Sequence, residues 1–441
     1  MAYYPSRRAA GESLRAEGEA ESMSGSQAGA EWRQYWTLPI AAALGYATCV
    51  IHIYGLGVFI EPVAREFGWS RTEVTVGLTL STAAQALAAI PIGIMVDRIG
   101  PRRLAIIGIL LTCAAFANIG LASGTMANWY VTWAIMSVAS LPIQATVWTS
   151  AVASRFSASR GLALATALCG ASVALIVFPW LGAELIERYG WRQAMRIEAL
   201  VWLVVAWPVV LLFFRGAHDG GAAKSAATAS DAPAAPLQVA DVSLRDGLRS
   251  SVFLRLLFAA LLFTFTMIGL NVHFPLMLKA YGYSPVAAAA TASLIGFSSI
   301  FGRLGTGMML DRYRGSIVGA VAFSMPALAC AVLLADGSGS MGASIAALLI
   351  GFTLGAEIDV LVFLTTRYFG LRNFGALYGG ILSALSVGTA FGPLAAANVF
   401  DRWGSYDPFL WLTIGAMLAS SVALATLPPP PNPLRKVSGH G

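Results

Sequence analysis

Charge is what this chain has least of. Only 11% of its 441 residues are Asp, Glu, Lys or Arg, against 57% hydrophobic, and the mean hydropathy is +0.71. Soluble domains carry about 25% charged residues, so the composition excludes an ordinary soluble fold. Cysteine is scarce too. Cys49, Cys113, Cys169 and Cys330 stand alone, each inside an apolar run, a pattern that excludes a disulfide framework or a thiolate metal site. There is no Gly-rich phosphate cradle with its lysine, no His/Cys set at metal-ligand spacing, and no loop large enough for a catalytic domain. The expectation is therefore neither an enzyme nor a holder of a metal or other cofactor, and not a protein driven by ATP. No short apolar leader region precedes the first long run. Residues 1–35 are polar, mix Glu with Arg, and read as a disordered tail.

What the chain has in quantity is long apolar runs. A stretch of about 20 residues crosses ~30 Å of hydrocarbon. Such stretches fall at 37–60, 74–96, 104–122, 128–151, 161–183, 194–214, 252–278, 286–310, 316–335, 342–365, 375–398 and 407–427. These twelve spans predict an all-α integral membrane protein. The formal charge of +6 is spread over the loops. Loops and tails on the side that holds both termini carry 20 Lys and Arg, the opposite side 7, and Arg303 completes the 28. The positive-inside rule places both termini in the cytoplasm. The basic excess is membrane topology and not a nucleic-acid footprint. Trp36, Trp69, Trp129, Trp191 and Trp403, at span ends, read as interface anchors.

The spans are one unit written twice. An offset of 214 carries Gly68-Trp69-Ser70 onto Gly282-Tyr283-Ser284, and Gly93 through Asp97-Arg98 onto Gly307 through Asp311-Arg312. It also carries Gly161 onto Gly375, Pro179 onto Pro393, and Glu187-Arg188-Tyr189-Gly190 onto Asp401-Arg402-Trp403-Gly404. The predicted organisation is a cytoplasmic tail over 1–35, a six-helix half over 36–215, a linker over 216–251, a second six-helix half over 252–427, and a cytoplasmic tail over 428–441. The linker is rich in Gly, Ala, Ser, Pro and Asp, and its end, Val242–Arg249, reads as a short surface helix. Two parallel halves of this size are a transporter architecture with the substrate near the midplane.

Arg303 is the cation that fits no span end. Gly296, Ser299, Arg303 and Gly307 share one small polar face, opposite Leu294, Phe297, Phe301, Leu304 and Met308. A charge at that depth costs roughly 2.5–3.5 kcal/mol on insertion scales, so it faces a partner, a water-filled cavity or an anion. Pairing with a buried carboxylate is the structural alternative to binding substrate. Glu357 and Asp359 in span ten point to opposite sides of their helix, as do His52 and Tyr54 in span one, and Asn271 and His273 in span seven. One of Glu357 and Asp359 is a candidate proton carrier, the other a partner for Arg312 or Arg367. His273, toward the loop-side end of span seven, is a candidate proton relay or a histidine bonded to backbone. Gln85, Gln144 and Tyr378 offer neutral hydrogen bonds, to substrate or between helices.

The loop after span two reads GIMVDRIGPRR. It resembles the G-x-x-x-D-R-x-G-x-R-R signature of the major facilitator superfamily, and Gly307–Arg312 is a degenerate copy. That resemblance implies the two-half fold and a cytoplasmic latch made of Gly93, Asp97, Arg98, Arg102 and Arg103 with Gly307, Asp311 and Arg312. The stretches Gly355–Gly379 and His273–Pro285, together with Arg303, look like the bacterial oxalate/formate antiporter and monocarboxylate porter group. This likeness implies a multi-pass protein of the bacterial inner membrane carrying a small organic anion, with Arg303 on the substrate carboxylate. The expected partners are that anion, protons or a counter-anion, and the bilayer; nothing demands more than a monomer. Arg303, Tyr54, His52, Asn271, Gln144 and Tyr378 are the expected substrate-binding residues, and His273, Glu357 and Asp359 the proton-coupling candidates. Two rivals stand beside this reading. One is an exporter of a drug-like or secondary metabolite, favoured if a span-ten carboxylate neutralises Arg303. The other is a non-transporting nutrient sensor.

Overall fold

The computed structural model describes residues 27–216, 244–336, 339–369 and 374–429, and within them every regular element is helical. Most of the 216–251 linker, the 1–26 and 430–441 tails, and the side chains of Gly93, Asp97 and Asp311 lie outside the described set. Span one runs in three pieces, Thr37–Cys49, Ile51–Tyr54 and Leu56–Phe67. Spans two and three are Arg71–Ile99 and Pro101–Ile119; span four is Met126–Ala139 and Ala145–Ala153, joined by a 3-10 turn. Spans five and six follow from Arg160–Leu168 and Gly170–Phe213, the latter bending at Gly190 (φ 73°) into 170–189 and 191–213. Spans seven to twelve are Ser251–Ala280, Pro285–Arg312, Gly315–Asp336, Ser340–Phe369, Phe374–Trp403 and Asp407–Ala425. Nine helices among the described residues are long and apolar enough to cross a membrane, the bent one of 54 residues counting once. Span one is broken into pieces, of which Thr37–Cys49 is a shorter apolar helix.

The repeat is written in the backbone as well as in the sequence. Gly68 and Gly282 both take positive φ (69° and 96°), as do Gly190 and Gly404 (73° and 66°). Each pair is separated by 214 residues, and each turns the chain between consecutive spans where a side chain would be strained. The restart is matched too. Ser70 caps span two by accepting the Glu73 N–H at 3.1 Å, and Ser284 caps span eight by accepting the Ala287 N–H at 3.2 Å.

The halves meet tightly at the loop side, the end away from the termini. Asp401 in span eleven accepts the backbone N–H groups of Arg71 (3.0 Å) and Thr72 (2.8 Å) at the start of span two. The Arg71 guanidinium donates to the Tyr406 hydroxyl at 2.5 Å and lies 3.6 Å from the Phe400 ring centroid. Lys279 in span seven pairs with Glu61 at the end of span one. Deeper in, Thr79 bonds the Ala390 carbonyl (2.7 Å), Ser293 the Ile176 carbonyl (2.7 Å), and Ser299 the Ser172 hydroxyl (2.7 Å). The Ser172–Ser299 contact lies one turn above Arg303.

Two expectations need correcting. The tail is not irregular up to residue 35: residues 27–35 are helical, and Glu31 docks on the loop between spans four and five. Its carboxylate accepts five hydrogen bonds, from the N–H groups of Ser157, Ala158 and Ser159 and both serine hydroxyls, at 2.7–3.1 Å. Open N–H groups at the head of span five need an acceptor, and an anion there is favoured by the helix dipole. Trp129 and Trp191 are not interface anchors either, being 0% and 5% exposed. Trp129 donates to the Val74 carbonyl at 3.2 Å and packs edge-on to Trp69 and Trp133; Trp191 donates to Glu66. Their N–H groups found partners inside the bundle, whereas Trp36 and Trp403 remain exposed. The expected surface helix is present as Leu244–Arg249, and Gly247 lies against Leu377 of span eleven.

Candidate substrate site

Arg303 is 7% exposed, while Phe297, Phe301, Leu304 and Met308 on the other face of span eight are about half exposed. Spans eight and ten approach closely there. A β-carbon on Gly355 would collide with the Ser299 carbonyl and sit 2.8 Å from the Arg303 nitrogen. Glycine removes that obstacle, and Asp359, one turn further along the same face of span ten, comes up beside Arg303. The Arg303–Asp359 separation is 3.7 Å, a loose ion pair whose carboxylate is 29% exposed. The Arg303 Nε has no hydrogen-bond partner among the described residues.

Asp359 thus pairs with Arg303, and Glu357 makes no ion pair among the described residues, which corrects the expectation that one of the two carboxylates would pair with Arg312 or Arg367. Their Cα–Cβ directions differ by about 200°, yet the charge on Arg303 acts on both. Glu357 is 7% exposed and its Oε1 has no partner among the described residues. The phenols of Tyr46 and Tyr54 lie on either side of the break in span one at Val50 (φ −105°, ψ 8°). Both interact electrostatically with Arg303 and Glu357. Tyr378 of span eleven interacts electrostatically with Glu357, Asp359, Tyr46 and Arg303. The Arg303–Asp359 pair, Glu357 and three phenols, from spans one, eight, ten and eleven, are thus within electrostatic reach of one another.

The other expected residues are placed elsewhere. His52 is fully buried, and its Nε2 lies 3.3 Å from Gln85, which also donates to Ser140 at 2.9 Å. Gln144 donates to the Gln85 carbonyl at 3.0 Å. His52, Gln85 and Gln144 therefore tie spans one, two and four together within the N-terminal half. Asn271 is buried on span seven, 8% exposed. His273 is fully buried, with Nε2 3.0 Å from the Pro393 carbonyl and Nδ1 2.8 Å from the Tyr406 hydroxyl. The carbonyl only accepts, so Nε2 carries the proton; Tyr406 then accepts from Arg71 and donates to Nδ1 of the neutral ring. The chain Arg71–Tyr406–His273–Pro393 is a strut of the loop-side closure, not an open proton relay. Of the latch residues, Arg102 donates to the Leu211 carbonyl at 2.9 Å. The Asp97 and Asp311 side chains lie outside the described set.

Sequence reasoning missed Tyr46, which lies two helical turns before Tyr54 and was legible as a second phenol in the same polar-interrupted span. It also missed Glu198, a single acid inside the apolar run of span six.

Two repeated six-helix halves, joined at one end above a buried arginine that pairs with a carboxylate, define a membrane transporter. The chain belongs to the Major Facilitator Superfamily, whose family model matches residues 42–370. Among named relatives, monocarboxylate transporter 13 of Bos taurus is 24% identical, over 89% of this chain and 89% of its own length. The chloramphenicol resistance protein of Streptomyces lividans is 27% identical, over 87% and 94%. The MFS transporter asaE of Aspergillus flavus is 27% identical over 62% of this chain, and the match spans 59% of that protein. In three dimensions the chain is similar to a bacterial homologue of the human lysosomal transporter Spinster, inward-facing and unoccupied. The TM-score is 0.61 and the identity 16%, over 88% of this chain and 94% of that one.

Proposed function

We propose that the protein is a secondary active transporter of a small organic anion, a monocarboxylate by preference, in the inner membrane of a bacterium. Both termini are cytoplasmic, the loop side is external, and the structure is the state closed to the outside. The observation that carries this reading is Arg303: buried, one turn below the Ser172–Ser299 contact, and held by a single loose carboxylate with its Nε unused. Two parallel N–H donors of a guanidinium match a carboxylate, and the Tyr46 and Tyr54 hydroxyls add neutral donors.

Coupling follows from charge conservation in a site of low dielectric. A substrate carboxylate that takes Arg303 leaves Asp359 without its cation. A proton on Asp359 or Glu357 restores the balance, so anion and proton occupy the site together, and proton symport or exchange for a second anion results. Alternating access then carries both past the seam.

The exporter reading is supported by one specific observation, that Arg303 is already paired with Asp359, and by the chloramphenicol resistance relative. One experiment separates the two. Uptake of labelled mono- and dicarboxylates into proteoliposomes is measured under an imposed pH gradient, with Arg303→Gln alongside. Gradient-driven accumulation of one acid that disappears in the variant supports the anion porter. Transport of no carboxylate, or normal carboxylate transport by Arg303→Gln, sinks it and leaves the exporter.

A further inference from the structure

Glu198 plays no part in the site above. It lies in span six, 0% exposed, and neither carboxyl oxygen has a hydrogen-bond partner among the described residues. Among the described residues, the helices packed on the span five–six pair, spans one, three and eight among them, bring no charged side chain that acts on it. An ionised carboxylate without partner or water is strongly disfavoured in such surroundings, so the group in this conformation is the neutral acid.

Its surroundings differ in the two directions. Toward the cytoplasm, one turn along span six, Trp202 bonds the Thr48 hydroxyl at 2.8 Å and packs on Phe178 at 4.9 Å, both rings buried. Toward the outside the wall is thin. A β-carbon placed on Gly182 would lie 3.0 Å from Val58, 3.3 Å from Phe59 and 3.4 Å from the Glu198 Oε2. Val58 and Ala183, the neighbour of Gly182, also line an outer cavity of about 390 Å³ between spans one, five, seven and eight. The charged groups lining that cavity are Glu61, Arg65, Glu187 and Lys279. Glu198 is thus one side chain away from a water-accessible vestibule and shielded by two aromatic rings from the other side.

We propose that Glu198 is a second proton site, distinct from Arg303 and its carboxylates, that reads the external pH. When the halves part at the outer end, water reaches the Val58–Gly182 wall and the acid ionises. Closure requires that an external proton bind one carboxylate oxygen, with no other bond made or broken. External acid therefore favours the outward-closed state. The inference concerns the halves and not the cargo, so it stands or falls apart from the anion reading.

The test needs no substrate. Spin labels on Arg65→Cys and Ala287→Cys report the outer opening in vesicles, with Cys169, the free cysteine that is not fully buried, replaced by serine. In the otherwise native protein, external acidification shifts the distance distribution toward the short, closed form. Glu198→Gln, and Glu198→Met should the first misfold, lose the shift and stay closed at both pH values, and the infrared carbonyl band of a protonated carboxylic acid loses the Glu198 component. Glu187→Gln keeps the shift. A pH response unchanged by both Glu198 variants, its absence in the native protein, or its loss in Glu187→Gln instead, overturns the proposal.

Discussion

Asp401 accepts the backbone N–H of Arg71 at 3.0 Å, so a carboxylate from one half caps the first turn of a helix in the other. It binds the Thr72 N–H as well, at 2.8 Å. An anion at a helix N-terminus contributes about 1 kcal/mol, up to ~2 when partly buried. This cap exists only while the outer end is closed. Asp401→Asn is therefore expected to raise the outward-open population by roughly fivefold, the factor that corresponds to about 1 kcal/mol. The readout is the rate at which a membrane-impermeant maleimide reacts with a cysteine at Val58, in the vestibule wall. An unchanged rate would mean that the cap does not hold the closed state.

The phenols of Tyr46 and Tyr54 face Arg303 and Glu357 from the two sides of the break in span one. If they donate to a bound anion, each bond to a charged acceptor contributes about 1.5 kcal/mol. Tyr46→Phe and Tyr54→Phe should each raise the KM for the transported acid by about tenfold, with a smaller effect on the maximal rate. KM values equal to the parent protein's would reduce both rings to packing.

Glu31 ties the amino-terminal helix to the head of span five. Partial desolvation alone would raise its carboxyl, but bonds from the Ser157 hydroxyl and from the Ala158, Ser157 and Ser159 N–H groups prevail and hold it at about 2. A carboxyl held below its ordinary 4.5 adds stability that is fully present above that value and is lost as pH falls through about 2. The docked helix thus stays in place through the whole physiological range. Glu31→Gln should speed hydrogen exchange at the amides of Ser157, Ala158 and Ser159 by about tenfold, the worth of one charge-assisted bond. Exchange rates matching the parent's would show that the helix is held by something else.

What was legible in the sequence divides along physical lines. The duplication, the turns at Gly68 and Gly282, and the caps at Ser70 and Ser284 are local chemistry, and local chemistry repeats visibly at a fixed offset. Arg303 announced itself because a cation inside an apolar run has few explanations. Glu198 obeys the same rule for an acid and was within reach of it. The pairing of Asp359 with Arg303 was not. Helical angles describe where a side chain leaves its helix, and they say nothing about how far an arginine on the neighbouring helix reaches back. His273 shows the same limit from another direction. Its position in span seven was readable, but its two partners, Tyr406 and Pro393, come from parts of the chain more than 100 residues away.

The duplication is broken at one informative place. Advancing Arg71 by 214 residues gives Pro285, and moving Asp401 back by the same interval gives Glu187. The Asp401 clasp depends on the N–H groups of Arg71 and Thr72, and a proline at the first of the matching positions has no N–H to offer. Glu187 and Pro285 instead line the vestibule. The outer end of the molecule is accordingly fastened along one edge, where spans two and eleven meet, and left ajar along the other, where five meets eight. Lys279 and Glu61 form a second clasp across the vestibule, between spans seven and one. Parting the halves at this end needs both clasps undone, and the cavity between them already reaches Val58 and Ala183, beside Gly182.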